Sequence, residues 1–205
     1  ILKFLNSEVW SLAGGYVGID EDLNDAAKRI LFERTGLSNI YLEQFHTFGN
    51  LERNSNAKAE HLKVINDIGR TQDDLEWISG RFITTGFLSI IDYEKVNVSL
   101  GDISDAYSWQ SVDEHKKLFL DHNEILDMAI IKLREWLDTK LIAFNLLQDT
   151  FTMLEIQQVY ESILGKKIVR TNFQRKILSL DILERIEKKY SGGAHKAPYL
   201  YRLKK

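Results

Sequence analysis

The chain has 205 residues, which is enough for one large domain or two small ones. Hydrophobic residues make up 44% and charged residues 28%, a globular composition that excludes an intrinsically disordered chain. The absence of cysteine excludes disulfides and thiolate metal sites. No apolar stretch is long enough to span a membrane and no signal peptide is visible, so we predict a cytoplasmic protein with no membrane partner.

The formal net charge of -3 conceals an uneven distribution along the chain. Residues 150–205 contain 12 Lys and Arg against 5 Asp and Glu, a net charge of +7, whereas the remainder carries -10. A basic end on an acidic body favours contact between that end and a polyanion. Charge alone leaves open the alternative of a solvated basic tail.

Strand and helix patterns alternate through the first part of the chain. A predicted strand over Val9–Leu12 runs into a glycine turn at Gly14–Gly15. A helix is predicted from Asp22 to about Arg34, because apolar residues recur at helical spacing and Gly36 follows the last turn. Its inward stripe comprises Leu23, Ala26, Ala27, Ile30 and Leu31. The other predicted elements are strands over Ile40–Phe48, Arg81–Tyr93 and Tyr107–Val112, and helices over Ala57–Ile68 and Glu124–Thr139.

The composition changes near Phe144–Thr150, where we predict the domain junction. Thr152-x-x-Glu155 is a capping box that predicts the start of a helix, which Gly165 ends. The remaining predicted elements are a helix over Asn172–Leu180 that buries Phe173, Ile177 and Leu180, strands over Ile182–Tyr190 and Tyr199–Leu203, and a loop over Ser191–Pro198. This order of helix, turn, basic helix and β-hairpin is typical of a winged helix.

One constellation in the first part resembles the Nudix box, which places Gly, Glu and an Arg-Glu-apolar-x-Glu-Glu-x-Gly-apolar run at fixed spacing. The lead-in Trp10-Ser11-Leu12-Ala13-Gly14-Gly15 also resembles that of the family. Matches at this spacing are Gly15, Glu21, Arg29, Leu31, Glu33, Gly36 and Leu37. The resemblance implies a Nudix-like α/β/α sandwich around a mixed sheet.

Two departures from the box bear on catalysis. Ile30 replaces the Glu after Arg29, and Arg34 replaces the second Glu of the later pair. In active members these carboxylates hold Mg²⁺, which requires oxygen ligands, and serve proton transfer. Of that cluster only Glu33 remains, and Arg34 brings positive charge to the metal position. We therefore expect a protein that is not an enzyme, with a degenerate box of Gly15, Glu21, Arg29, Glu33 and Gly36 and no catalytic residue, metal or cofactor.

A second set of motifs resembles the Nudix-related transcriptional regulators, which pair a Nudix-like domain with a C-terminal winged helix. The resemblance rests on the stretches Phe151–Gly165 and Arg170–Lys176, on Ile142–Leu147 at the junction, and on Leu120–Ile125. It implies an α+β fold with two domains. Residues 1–143 would form an effector-sensing and dimerising Nudix-like domain with an insertion at about 54–79, and residues 144–205 a winged helix-turn-helix DNA-binding domain.

The second basic helix has the side chains that reading DNA requires. Cations meet phosphates, while forked guanidinium and amide groups reach base edges in the major groove. The candidate DNA-binding residues are Arg170, Thr171, Asn172, Arg175 and Lys176 on the helix, with His195 and Lys196 in the predicted wing. Ordinary solvated helix cations are the alternative reading of this cluster.

The leading hypothesis is a homodimeric transcription factor that binds a double-stranded DNA operator and senses a small molecule. The resemblance implies a sugar such as arabinose or an ADP-ribose-like nucleotide as effector. We favour the sugar, since a diphosphate has less to hold it without Mg²⁺, and take Glu33 as a candidate effector contact. The alternatives are a Mg²⁺-dependent Nudix hydrolase of nucleoside diphosphate sugars and a module that binds an acidic protein.

Overall fold

The computed structural model describes residues 1–54, 58–69, 80–112, 114–189 and 197–204. The chain divides into two compact units, Ile1–Lys132 and Leu133–Lys205. The division falls inside one long helix, whereas the sequence places the functional boundary after residue 143, and that boundary stays a prediction. Among the described residues, no helix is long and apolar enough to cross a membrane.

The first unit combines two small sheets with helices. Its three-stranded sheet is antiparallel with the strand order β2-β1-β5, and an isolated parallel bridge joins Trp10 to Leu118. A separate antiparallel pair joins β3 to β4. The elements are β1 (Leu2–Phe4), β2 (Trp10–Ser11), α1 (Leu23–Thr35), β3 (Glu43–Phe48), α2 (Lys58–Asp67), β4 (Thr84–Leu88), β5 (Ser104–Tyr107) and α3 (His122–Thr139), with 3-10 turns at Leu51–Asn54 and Tyr93–Lys95.

Helix α1 ends as its sequence predicts. Gly36 adopts a left-handed backbone with φ 70°, and its N–H donates to the Phe32 carbonyl at 2.8 Å. The predicted inward stripe is only partly correct. Ala26 is buried, but Leu23 is 39% exposed, because it lies in the first turn of the helix.

The predicted strands differ from the observed ones in their bounds, because the bounds depend on which distant segment each strand pairs with. The strand predicted over Tyr107–Val112 is wrong, since β5 comprises Ser104–Tyr107 and pairs with β1. The sequence did not predict strand β1, and the residues of β5 do not reveal which segment β5 will pair with. The other strands are shorter than predicted: β2 within Val9–Leu12, β3 within Ile40–Phe48 and β4 within Arg81–Tyr93. Residues 55–57 and 70–79 of the predicted insertion lie outside the described residues.

A buried ion pair fixes the start of α3 within the first unit. The Arg53 guanidinium donates to both carboxylate oxygens of Asp121 and to the Phe48 carbonyl. Both side chains of the ion pair are less than 10% exposed. Next to Asp121, the Nδ1 atom of His122 accepts the N–H of Leu12 at 3.0 Å. Burial lowers the pKa of His122 to about 4, so this ring is neutral at pH 7.

The second unit has the winged-helix order. The 3-10 turn Ile142–Leu146 is followed by β6 (Phe151–Thr152), α4 (Met153–Leu164), α5 (Arg170–Ser179), β7 (Leu183–Lys188) and β8 (Tyr199–Leu203). The antiparallel sheet has the order β6-β8-β7. The core is contiguous, comprising Leu137, Ala143, Phe144, Phe151, Met153, Ile156, Tyr160, Phe173, Ile177, Leu183 and Tyr201.

Local signals set the helix ends in this unit. The capping box is complete, since Thr152 Oγ1 accepts the Glu155 N–H at 3.2 Å and Glu155 Oε2 accepts the Thr152 N–H at 2.6 Å. Gly165 caps the other end of α4 with φ 67°. Helix α5 begins at Arg170, two residues earlier than predicted. Leu180, predicted to be buried, is 39% exposed because α5 ends before it.

Candidate functional site

Arg29 on α1 unites the surviving charges of the box. Its Nη2 and Nε donate to the two Glu21 oxygens at 2.5 and 3.0 Å, and its Nη1 donates to Glu33 at 3.1 and 3.2 Å. Nη2 also donates to the Tyr16 carbonyl at 2.9 Å. Glu21 further accepts the Gly18 N–H at 2.6 Å. These bonds tie the loop before α1 to the helix.

The network determines the charge state of Glu21. The Arg29 guanidinium and then the Gly18 N–H hold the pKa of Glu21 at about 2, so the carboxylate is charged at pH 7. Both carboxylates of the network share the single Arg29 cation. Glu33, the candidate effector contact, has a half-exposed side chain that already accepts from Arg29. A ligand at Glu33 has to share that carboxylate with Arg29 or displace it.

The two replaced positions of the box have structural contacts of their own. A Cβ on Gly15 would come within 2.8 Å of Ile30 Cγ1, so the glycine permits the isoleucine to pack against the turn. The Arg34 guanidinium donates to the Leu100 carbonyl at 2.9 Å, and its Nε is buried without a hydrogen-bond partner among the described residues. Arg34 therefore holds the segment before Gly101 against α1, and the sequence did not predict this contact.

The donor set of the box does not fit a metal ion. Mg²⁺ binding in a protein requires carboxylate or carbonyl oxygens that are free to coordinate. Glu33 and Glu21 are engaged by Arg29, and position 30 presents a hydrocarbon. Across the described residues, no group of three His, Cys, Asp or Glu side chains is close enough to hold a metal ion.

Helix α5 separates a buried face from a polar one. Phe173 and Ile177, four residues apart, are buried, and Phe173 packs edge-on against Tyr160 with ring centroids 5.1 Å apart. The predicted DNA-binding residues of this helix are all exposed: Arg170, Thr171, Asn172, Arg175 and Lys176. The sequence predicted this division from helical spacing. His195 and Lys196 lie outside the described residues.

The three cations of α5 differ in their partners. Lys176 forms an ion pair with Asp138 at 2.6 Å, and Arg175 donates to the Asn172 side chain at 3.3 Å. Arg170 forms no ion pair with any residue that the structure describes. Arg170 and Arg175 are therefore free to meet an external anion, whereas Lys176 must first leave a carboxylate.

Two side chains of α4, missed by the sequence analysis, fix the turn that leads into α5. Glu161 Oε1 accepts the Ile168 N–H at 3.0 Å and the Gln157 amide at 2.9 Å, and Glu161 Oε2 accepts Lys167 Nζ at 2.8 Å. Gln157 also donates to the Ile168 carbonyl at 3.0 Å. The Lys167 ammonium and the Ile168 N–H hold the pKa of Glu161 at about 2. The i,i+4 spacing of Gln157 and Glu161 was visible, but the backbone that they bind was not.

The sequence of this chain is similar to those of known DNA-binding regulators. Residues 143–203 match the family model described as the NrtR DNA-binding winged helix domain. The chain is 26% identical over 197 residues to the "ADPR responsive transcriptional repressor NtrR" of Acinetobacter baylyi, and the match covers 94% of this chain and 69% of that protein.

Solved structures extend the likeness to both units. Shewanella oneidensis NrtR is 25% identical, with a TM-score of 0.66 over 99% of this chain and 85% of that one. Its structure complexed with a 27mer DNA gives the same TM-score at 24% identity. A MutT/nudix family protein from Enterococcus faecalis shares the fold, with a TM-score of 0.62 and 20% identity over 96% of this chain and 75% of that one. The chain is thus similar to the NrtR regulators along nearly its whole length, and these matches support its resemblance to the Nudix-related transcriptional regulators.

Proposed function

We propose that this protein is a DNA-binding transcriptional regulator whose recognition helix is α5. The observation that carries the proposal is the exposed set of Arg170, Thr171, Asn172, Arg175 and Lys176 on a helix anchored by Phe173 and Ile177. Guanidinium forks suit guanine O6 and N7, and an Asn amide suits adenine N6 and N7. The DNA-binding winged-helix match over residues 143–203 supports the same assignment.

The regulator acts as a two-fold symmetric dimer on a palindromic operator. One winged helix reads too few base pairs for a regulator to find its site. Two-fold proteins match inverted half-sites, and their recognition helices enter major grooves about one helical turn apart. The net charge of +7 in residues 150–205 gives binding a steep dependence on salt, because bound cations release counterions from the phosphates.

The Nudix-like domain senses a small molecule instead of hydrolysing one. Ile30 and Arg34 stand where the box requires carboxylates, and Arg29 donates to Glu33, the one carboxylate of that cluster that remains. The sequence favoured a sugar as effector, whereas the name of the Acinetobacter baylyi relative favours ADP-ribose. We take ADP-ribose as the first effector to test, with L-arabinose as the second.

The test of the DNA assignment begins with selection of an operator from a random duplex library. Fluorescence anisotropy then measures the affinity of the wild-type protein and of the Arg170→Ala/Arg175→Ala/Lys176→Ala variant. The matched control removes three cations of the same unit that are already ion-paired, Lys189, Arg202 and Lys204. We expect loss of specific binding in the first variant and a much smaller change in the control. Equal affinities of the two variants would exclude α5 as the reader.

The test of the sensor assignment uses linkage. A ligand shifts operator affinity only if it prefers one state of the protein, and typical coupling is about 1–3 kcal/mol. Calorimetry with ADP-ribose and with L-arabinose is performed on the free protein and on the operator complex. We expect one of the two ligands to bind the operator complex more weakly than it binds the free protein. By linkage, the same ligand lowers the affinity of the protein for the operator by the same factor. Equal affinity in both states would exclude that ligand, and metal-dependent hydrolysis of ADP-ribose by the purified protein would restore the hydrolase alternative.

A further inference from the structure

The cations of the winged-helix unit fall into two classes by their partners. Five of the ten in the described part of residues 150–204 form ion pairs: Lys167, Lys176, Lys189, Arg202 and Lys204. Within the same described part, Lys166, Arg170, Arg175, Arg185 and Lys188 form none. Two of these unpaired cations, Arg185 and Lys188, lie on one strand and share one neighbour.

That neighbour is the ring of Tyr199 on β8. The Arg185 guanidinium carbon lies 4.5 Å from the ring centroid, and Lys188 Nζ lies 5.6 Å from it. Residues three apart on a regular strand point to opposite faces. Here the pairing register shifts between Arg185 and Lys188, so that Arg185 pairs with Tyr201 and Lys188 with Tyr199. An irregularity of this kind re-aims a side chain, and here it brings both cations to one face.

Arg185 and Lys188 carry like charges near one ring, and an anion bound by both would relieve the repulsion between them. The face of Tyr199 offsets part of their repulsion through its quadrupole. No carboxylate in the described residues forms an ion pair with either cation, including Glu187, which lies between them on β7. Two other cations near this hairpin do have carboxylate partners, since Glu184 pairs with Arg202 and Asp181 with Lys204.

We propose that Arg185, Lys188 and Tyr199 form a phosphate-binding site at the base of the β7–β8 hairpin, which takes one backbone phosphodiester of bound DNA in each protomer. The proposal rests on the DNA-binding function proposed above and adds a contact outside α5. Two cations give the site the charge to hold a phosphate, and a contact to a backbone phosphate carries no sequence information. The site therefore adds affinity and register without sequence preference.

The experiment compares Arg185→Gln/Lys188→Gln with Arg202→Gln/Lys204→Gln in the full-length protein. Both variants remove two positive charges from the same hairpin, but only the first pair lacks intramolecular partners. Anisotropy measures affinity against salt concentration on the selected operator and on an unrelated duplex. Removing one cation that neutralises a phosphate lowers the slope of log K against log salt by about one. We expect the first variant to bind at least tenfold more weakly to both duplexes at low salt, with a slope lower by about one per protomer because one phosphate is no longer neutralised there, and the control to change less than threefold.

Three controls separate the outcomes. Thermal unfolding shows whether each variant is folded, and if the double variant melts early, the single variants Arg185→Gln and Lys188→Gln replace it, each expected to weaken binding to both duplexes. Arg185→Lys/Lys188→Arg keeps the charge and is expected to keep the wild-type slope. Equal slopes for the Arg185/Lys188 and Arg202/Lys204 variants would overturn the phosphate site while leaving α5 as the reader. Absence of DNA binding by the wild-type protein would overturn both proposals.

Discussion

The two units of the chain use their arginines in opposite ways. On α1, Arg29 donates to Glu21, Glu33 and the Tyr16 carbonyl, so its charge is neutralised within the first unit and stabilises the local structure. On α5, Arg170 forms no ion pair within the described residues, and Arg175 donates a hydrogen bond to the neutral Asn172 side chain. A cation that is satisfied inside the chain supports the fold, whereas one left without an anion is available to a partner. The difference predicts where substitutions will affect stability and where they will affect binding.

Ile177→Ala is expected to have the largest effect. Ile177 is fully buried in the contiguous core of the second unit, and truncation of such a residue costs about 2–5 kcal/mol of unfolding free energy. The matched variant Ile186→Ala, in the same unit at a side chain 40% exposed, is expected to cost much less. Urea unfolding followed by circular dichroism measures both. Similar costs would show that burial in the second unit's core does not dominate its stability.

Acid is expected to weaken the first unit before the second. The folded pKa of His122 is about 4, below its ordinary value of 6.5. The contribution of the neutral ring to the free energy of unfolding is therefore full above pH 6.5 and is lost as the pH falls towards 4. The loss amounts to at most about 3 kcal/mol. Glu161 in the second unit, with a folded pKa of about 2, contributes fully above pH 4.5 and loses its contribution only below that value.

Amide hydrogen exchange at a series of pH values resolves the two units. We expect protection to fall between pH 6.5 and 4 at Leu12, whose N–H bonds to His122, and to persist at Ile168, whose N–H bonds to Glu161. His122→Asn offers an acceptor that does not titrate. In this variant the loss of protection at Leu12 between pH 6.5 and 4, the first transition, is expected to disappear. If the first transition persists in this variant, another group is responsible for it.

Arg175→Ala is expected to weaken operator binding by about 1–3 kcal/mol if the guanidinium reads a guanine. Arg29→Ala, which removes the same charge from α1, is expected to leave the affinity for DNA unchanged. Lys176→Ala is expected to fall between them, because Asp138 competes for this ammonium. Anisotropy on the selected operator measures all three. An equal loss for Arg29→Ala would mean that net charge, and not position, governs binding.

The smallest expected effect concerns the helix caps. Thr152→Ala removes a side chain that accepts the Glu155 N–H and is expected to cost about 1 kcal/mol. Asp22 occupies the same position before α1 but makes no side-chain cap bond, so Asp22→Ala is expected to cost less. Thermal unfolding of both variants checks the order. A larger cost for Asp22→Ala would show that the charge near the N-terminus of α1 matters more than the cap bond.

Several features of this protein were determined by sequence alone, because each depends on residues within one helical turn. Gly36 and Gly165 end their helices, since glycine adopts the left-handed conformation without strain. Thr152 and Glu155 cap α4 as a reciprocal pair. Helical spacing likewise predicted that α5 would bury Phe173 and Ile177 and expose its cations.

Tertiary structure alone decided the features that depend on residues far apart in the chain. The partner of β5 is β1, about a hundred residues earlier, and Arg34 finds its acceptor at Leu100. The convergence of Arg185 and Lys188 on Tyr199 depends on a register shift between two strands, which no pattern within β7 reveals. Local propensity acts over a few residues of backbone, whereas strand register and ion-pair choice depend on which distant groups the fold brings within a few ångströms.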